Sequence, residues 1–256
     1  MKVNSPEDAE LIVQKLPCDL GIHRNPRKGT LNAPDKLTAD LDTGREILVD
    51  EVFPNEFNLE ETHRRIEENT ETLANYGNSL ISVGGDHSVS FPTVKSLKQE
   101  NPDLKLVWLD SHLDLKEKVD GHVSHDVVVR ELLENGFSED EIVFVGITRI
   151  DEDEQKFLDE HDLRVYMADE RDEFLREFAF GEQPCYLSID IDVLDQSLAP
   201  GTGYPDGELT IGQVRQVIER VQPVHGDLVE AAPCLDEKGK TVGNGREVLQ
   251  NLIEIV

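Results

Sequence analysis

The chain has 256 residues, 38% of them hydrophobic and 31% charged, a length that suits one hydrophobic core and is read as a single domain over 1–256. Its 25 Lys and Arg against 54 Asp and Glu leave a net charge of −29, which excludes the basic stripe that a nucleic-acid partner requires. No run is long enough to span a bilayer and the apolar trio Leu11, Ile12 and Val13 is too short for a signal-peptide core, so no membrane partner and a cytoplasmic location are expected.

The acidic residues are scattered along the chain and do not form a tail. Such a surface repels itself in dilute buffer and is relieved by salt, which predicts a halophilic source. Cys18, Cys185 and Cys234 are odd in number, far apart and without CxxC spacing, so neither disulfides nor a thiolate zinc site is expected.

In chain order, residues 10–16 and 47–53 read as strands around a Gly, Pro and Asn rich loop at 21–34. Residues 59–74 read as an amphipathic helix, 80–83 as a buried strand, and 89–98 as a helix capped by Ser88. A strand at 104–109, a helix at 127–133, a strand at 142–147, a helix at 157–161 and a strand at 164–167 follow. A strand at 186–191, a helix at 211–221 and a strand at 227–231 complete the pattern. Strand and helix alternating in this way predict an α/β fold, with helices on both faces of a parallel sheet.

Ligands of open α/β sheets sit beyond the carboxyl ends of the strands. Here those ends run into Gly84-Gly85-Asp86-His87-Ser88, Asp110-Ser111-His112-Leu113-Asp114, Asp190-Ile191-Asp192 and Glu230. Alternation along an extended chain would project Asp110, His112 and Asp114 to one side, and Asp190 with Asp192 likewise. Taken singly, each motif reads as a turn or a solvated cap. Together they place carboxylates so densely that repulsion demands cations between them. Four carboxylates and two imidazoles without a thiolate suit manganese, and two ions suit the set better than one. A pair about 3.5 to 4 Å apart lowers the pKa of a shared water, which makes hydrolysis the natural chemistry.

These motifs, with Asp195, Pro200-Gly201-Thr202-Gly203, Asp227 and Pro233, resemble in order the signatures of the ureohydrolase family of arginases, agmatinases and formimidoylglutamases. The resemblance implies a three-layer αβα sandwich with a mostly parallel central sheet and two Mn2+ ions. One ion would be held by His87, Asp110, Asp114 and Asp190, the other by Asp110, His112, Asp190 and Asp192. Asp114 would also orient the attacking hydroxide, Glu230 would pair with a guanidino or amidine substrate, and His125 would protonate the departing amine. His122 is a competitor for that last role. His23, His63, His161 and His225 fall in no such pattern and read as surface or core residues. By the same analogy the chain would be a homo-oligomer, a trimer or hexamer.

Ser111, Gln196, Asp126 and the short stretch Tyr204 to Glu208 depart from the family pattern without removing a ligand. Lys116 beside the mouth would favour a carboxylate-bearing substrate, whereas the Ser124-His125 pair resembles the agmatinase branch. The expected reaction is hydrolysis of agmatine to putrescine and urea. Arginase, guanidinobutyrase and formimidoylglutamase activities stay open, as does a silent metal-binding member of the family.

Overall fold

The computed structural model describes residues 1–22, 27–41 and 43–256, so His23 and part of the loop at 21–34 lie outside it. The strands are β1 (Lys2–Val3), β2 (Leu11–Leu16), β3 (Ile47–Glu51), β4 (Ser79–Gly84) and β5 (Lys105–Leu109), then β6 (Ile142–Ile147), β7 (Arg164–Met167), β8 (Cys185–Asp190) and β9 (His225–Val229). They form one sheet in the order β1-β3-β2-β4-β9-β8-β5-β6-β7, and every neighbouring pair is parallel.

The helices are α1 (Ala33–Thr38), α2 (Leu59–Ala74), α3 (Ser90–Glu100), α4 (Val128–Glu134), α5 (Glu152–Glu160), α6 (Arg171–Glu177), α7 (Ile211–Val221) and α8 (Lys240–Ile255). Leu37, Phe174, Val214 and Val248 bring α1, α6, α7 and α8 onto one face of the sheet, against Val13, Ile81, Leu187 and Leu228. Leu73, Leu97, Val128 and the half-buried Phe157 bring α2 to α5 onto the other face, against Ile12, Leu106 and Trp108. The result is a three-layer αβα sandwich. Strands buried on both faces carry continuous apolar runs rather than an alternating pattern, which is why β5 and β6 stand out in the sequence.

Three helices and one strand were not read from the sequence. Helix α8 starts after Gly239, whose φ is 66°, and carries Gly243, Asn244 and Gly245 in its first two turns, residues that weaken a helical signal until packing overrides it. Helices α1 and α6, of 6 and 7 residues, are too short to show a period, and β1 has only 2 residues. Ser88 is not a helix cap. It lies in a 3-10 turn, His87–Val89, whose cap is Asp86, the carboxylate accepting from the Ser88 amide at 3.0 Å.

Chain order and sheet order differ at β3, which lies between β1 and β2, and again after β4, because β5 is placed beyond β9 and β8. The four strands β4, β9, β8 and β5 are therefore neighbours at a topological switch point, the place where such sheets open a crevice. Lateral register aligns Ser82, Asp227, Ser188, Trp108 and Phe144 in one row across β4, β9, β8, β5 and β6.

At the start of β9, His225 accepts the Leu80 amide on Nδ1 at 3.0 Å, and burial lowers its pKa to about 4. The folded chain thus refuses a proton that the unfolded chain accepts below about pH 6.5. Stability at neutral pH is lost as pH falls from there toward 4, by about 1.4 kcal/mol per pH unit from this group. His225→Asn, which keeps an acceptor, is expected to flatten that slope in denaturant titrations run between pH 6.5 and 4. An unaltered slope would contradict the assignment.

Candidate metal centre and active site

Three of the four central strands end in the same local device. The carboxylate of the Asp at or just past the strand end accepts the amide two residues on, at 3.0 Å for Asp86 and Ser88, 2.7 Å for Asp110 and His112, and 2.7 Å for Asp190 and Asp192. This Asx-type turn stops the strand and folds the chain back over its end. The expected strand-like alternation of Asp110, His112 and Asp114 is therefore corrected: β5 stops at Leu109, and Asp114 has a left-handed φ of 52°. Asp192 likewise lies in a 3-10 turn after β8. The groups converge through turns, not through a pleat.

They do converge. His87 Nδ1 lies 3.1 Å from Asp110 Oδ2, 3.3 Å from Asp114 Oδ2 and 3.3 Å from Asp190 Oδ2. His112 Nδ1 lies 3.5 Å from Asp110 Oδ1 and 3.1 Å from Asp192 Oδ2. Two clusters suited to holding a cation follow, His87 with Asp110 and Asp190, and His112 with Asp110 and Asp192, sharing Asp110. All four carboxylates and His87 are buried, and His112 is half-buried. His87 Nδ1 and Asp110 Oδ2 are buried without a hydrogen-bond partner. Buried lone pairs left facing one another fit a pair of divalent ions, and nitrogen and carboxylate oxygen donors without sulfur suit a hard to borderline metal.

The imidazole of His87 is prepared for that role from behind. Its Nε2 meets Ser188 Oγ at 2.9 Å, and Ser188 donates to Asp227 Oδ1 at 2.8 Å. Since Ser188 gives its proton to Asp227, it accepts from Nε2–H and so turns Nδ1 toward the cup as the nitrogen available to a metal ion. Asp227, fully buried, also accepts from Ser90 Oγ at 2.7 Å, Tyr186 OH at 2.7 Å and the Ile189 amide at 3.2 Å. The Trp108 ring stacks on His87 at 4.0 Å and 6°. Ser111, where the family pattern has a smaller residue, donates to Asp192 Oδ1 at 2.6 Å.

The electrostatics of the cup show how crowded it is. Burial, then the charges of Asp192 and Asp110, push the Asp190 carboxyl well above the usual range, and burial with Asp110 does the same to Asp114. Asp192 is raised by burial. Asp110 goes the other way, because His112 and His87 outweigh its burial. Both imidazoles are raised in turn, His87 by Asp110 and Asp190 and His112 by Asp192 and Asp110, against the opposing effect of burial. Adjacent carboxylates in a dry cup cannot all ionise until positive charge is placed among them.

Above the cup lies a cavity of about 60 Å³ whose lining includes Asp114, His125, Glu230 and Tyr204. Glu230 follows β9 with a left-handed φ of 64°, its amide donating to Gly85 O at 2.8 Å and its Oε1 accepting from the His87 amide at 2.8 Å. On its other side residue 85 packs against the Cys18 backbone, where a Cβ would stand 1.9 Å from Cys18 O, so that only glycine fits there. His125 Nδ1 lies 3.5 Å from Glu230 Oε1. Burial lowers the pKa of His125, but Glu230, then Asp114 and Asp126, outweigh it and raise it to about 9. His122 is exposed and outside the cavity lining. His63 is buried against Ser88 Oγ at 3.1 Å, and His161 pairs with Glu139 at 2.6 Å.

The rim is more ionic than the sequence suggested. Lys116 Nζ is 2.8 Å from Asp151 Oδ2, Arg149 Nε is 3.1 Å from Asp151 Oδ1, and Arg149 also meets Asp206 at 3.2 Å. The charge of Lys116, expected to greet a carboxylate, is already paired. Arg149, Asp151 and Glu154 are not recognisable as site residues from the sequence, whereas the stretch Tyr204 to Glu208, which borders the substrate mouth in the family pattern, does bring Tyr204 into the lining. The usable signal was the place of Arg149 and Asp151, just past the carboxyl end of β6, the strand beside β5.

A family model described as the arginase family matches residues 10–254. A guanidinobutyrase from Pseudomonas aeruginosa is 30% identical over 220 residues, covering 80% of this chain and 69% of the relative. An N(1)-aminopropylagmatine ureohydrolase from Thermus thermophilus is 31% identical over 254 residues, covering 89% of this chain and 84% of the relative. Some curated relatives are longer, the chain spanning 64% of a human mitochondrial guanidino acid hydrolase. The crystal structure of an arginase from Bacillus subtilis shares the fold at a TM-score of 0.83, with 22% identity over 95% of this chain and 98% of that one.

Ser188→Ala removes the acceptor that orients His87 and leaves every residue of the cup in place. It is expected to weaken manganese binding about 10- to 100-fold in calorimetric titration of the chelator-treated chain. An affinity equal to that of the unaltered chain would refute the orienting role.

Proposed function

Because the chain belongs to the arginase family of hydrolases, we propose that it is a binuclear manganese enzyme of agmatinase type that converts agmatine and water to putrescine and urea. The observation that carries this reading is the pair of cation-binding clusters sharing Asp110, set beneath a cavity that also holds Glu230 and His125. His87, Asp110, Asp114 and Asp190 would hold one ion, and Asp110, His112, Asp190 and Asp192 the other. When bound, two such ions supply Lewis-acid activation of an attacking water at neutral pH.

The remaining work falls to side chains. Glu230, fixed by the His87 amide, pairs with the guanidinium and sets its carbon over the cup. Asp114, at the cavity floor, accepts the proton that the attacking water gives up. A new C–O bond forms, and the bond from carbon to the tail nitrogen breaks as protonated His125 donates to that nitrogen. The hydroxyl proton of the nascent urea passes to the departing amine, which leaves as an ammonium, and the proton held by Asp114 returns to His125. One water is consumed, and urea and an amine are released.

The rim supports the amine-tailed substrate. Lys116 and Arg149 are engaged by Asp151 and Asp206, and Asp126 adds a further carboxylate to the lining. Among the described residues of the rim, acidic groups outnumber basic ones, which favours an ammonium over a carboxylate at the far end of the substrate. Arginine and guanidino acids are disfavoured by the same count. The reading extends to a single ureohydrolase domain over 1–256, a cytoplasmic, salt-adapted chain and a homo-oligomer, a trimer or hexamer. Among the described residues, no helix is long and apolar enough to cross a membrane.

Urea release is measured with manganese at molar salt on agmatine, arginine, 4-guanidinobutanoate and formimidoylglutamate in parallel. Agmatine is expected to give the highest kcat/KM, and turnover of formimidoylglutamate alone would reject the proposal. Asp114→Asn and His125→Asn are each expected to lower kcat about 10²- to 10⁴-fold. Unchanged turnover in both would show that Asp114 and His125 do not carry the reaction, and no urea from any of the four compounds with the unaltered chain would point to one that binds metal without this chemistry.

A further inference from the structure

Tyr204 stands where the substrate tail must pass. Its ring lies 6.2 Å from that of His125 at 16°, and 5.6 Å from that of His112 at 67°. The residue lines the same cavity as Glu230 and remains 39% exposed, so it faces both the cup and the way out.

The loop that carries Tyr204 is fastened on both sides. Gly201 N donates to Thr241 Oγ1 at 2.8 Å before it. After it, the Asp206 amide donates to Tyr204 O at 2.9 Å, and the Asp206 carboxylate is held by Arg149 at 3.2 Å. Gly207 is seated so tightly that an added Cβ would stand 2.0 Å from Asp192 O, and it bridges to Asp195. The ring is thereby registered against the turn that bears Asp190 and Asp192.

A guanidinium placed over the cup must send its tail out between this ring and the rim of Lys116, Asp151 and Arg149. The face of an aromatic ring is electron-rich, attracting a cation and repelling an anion. Among the described residues, both basic side chains of the rim, Lys116 and Arg149, are paired with carboxylates, so neither is free to meet a carboxylate tail opposite the ring. We propose that Tyr204 is a specificity-determining residue, whose ring face selects a cationic alkyl tail over a carboxylate tail. The inference rests on the guanidino-hydrolase reading above.

The test compares agmatine with 4-guanidinobutanoate, which share a guanidino head and differ in the charge of the tail, on the manganese-loaded full chain and on Tyr204→Leu and Tyr204→Phe. Leucine keeps bulk and removes the ring, and the agmatine to guanidinobutanoate ratio of kcat/KM is expected to fall about 10-fold, through a higher KM for agmatine. Phenylalanine keeps the ring face and is expected to hold the ratio within about 3-fold. A ratio unchanged in Tyr204→Leu, or one that falls as far in Tyr204→Phe, overturns the proposal. Urea from neither compound with the unaltered chain sinks the reaction, and the selectivity is then decided by calorimetric Kd values for the same two compounds. The same fall in the affinity ratio upholds it, and an unmoved ratio or no binding of either compound overturns it.

Discussion

Mutual repulsion among buried carboxylates is the constraint on which the rest of this molecule turns. Asp110, Asp114, Asp190 and Asp192 are all buried, and among the described residues His87 and His112 are the imidazoles in direct contact with them. No packing of apolar groups compensates such a set, and protons or histidine charge relieve it only in part. A pair of divalent ions relieves it fully, since four negative charges meet four positive ones. The site is thus a structural liability that becomes a catalytic asset when loaded.

The sheet order makes the crowding possible. Placing β9 and β8 between β4 and β5 brings four strand ends together that lie far apart in the sequence. Each of the three Asx turns exposes a second carboxylate oxygen or a following side chain to the centre. Backbone strain sits at the same place: Asp114 and Glu230 are two of the four non-glycine residues with positive φ among those described. Side chains disfavour that conformation, so its presence at two cavity-lining carboxylates marks positions held by their surroundings. Behind them, Asp227 anchors Ser188 and through it His87, so the catalytic face and the core share one hydrogen-bonded row.

Much of this was legible in the residues. Strands buried on both sides advertise themselves, and β6 at Ile142–Ile147 and β7 at Arg164–Met167 were read to the residue. The six members of the cup were named from polar groups at strand ends, and the structure brings all six together. The reason given for their meeting was wrong, because period-two alternation ends where an Asp captures the amide two residues ahead. Helix α8 was hidden by its early glycines. Arg149 and Asp151 were hidden for a different cause: the loop after β6 meets the Tyr204 loop over the cavity only through tertiary structure, and no local spacing records it. The charge of Lys116 was legible, but its partner Asp151, 35 residues later in the sequence, was not.

The account stands or falls on whether the cup holds two ions. Crystals grown with manganese and measured at its absorption edge test this directly. Two anomalous peaks about 3.5 to 4 Å apart are predicted, one beside His87 and one beside His112, with Asp110 touching both. A single peak, or none while His87 and His112 keep their present positions, would contradict it.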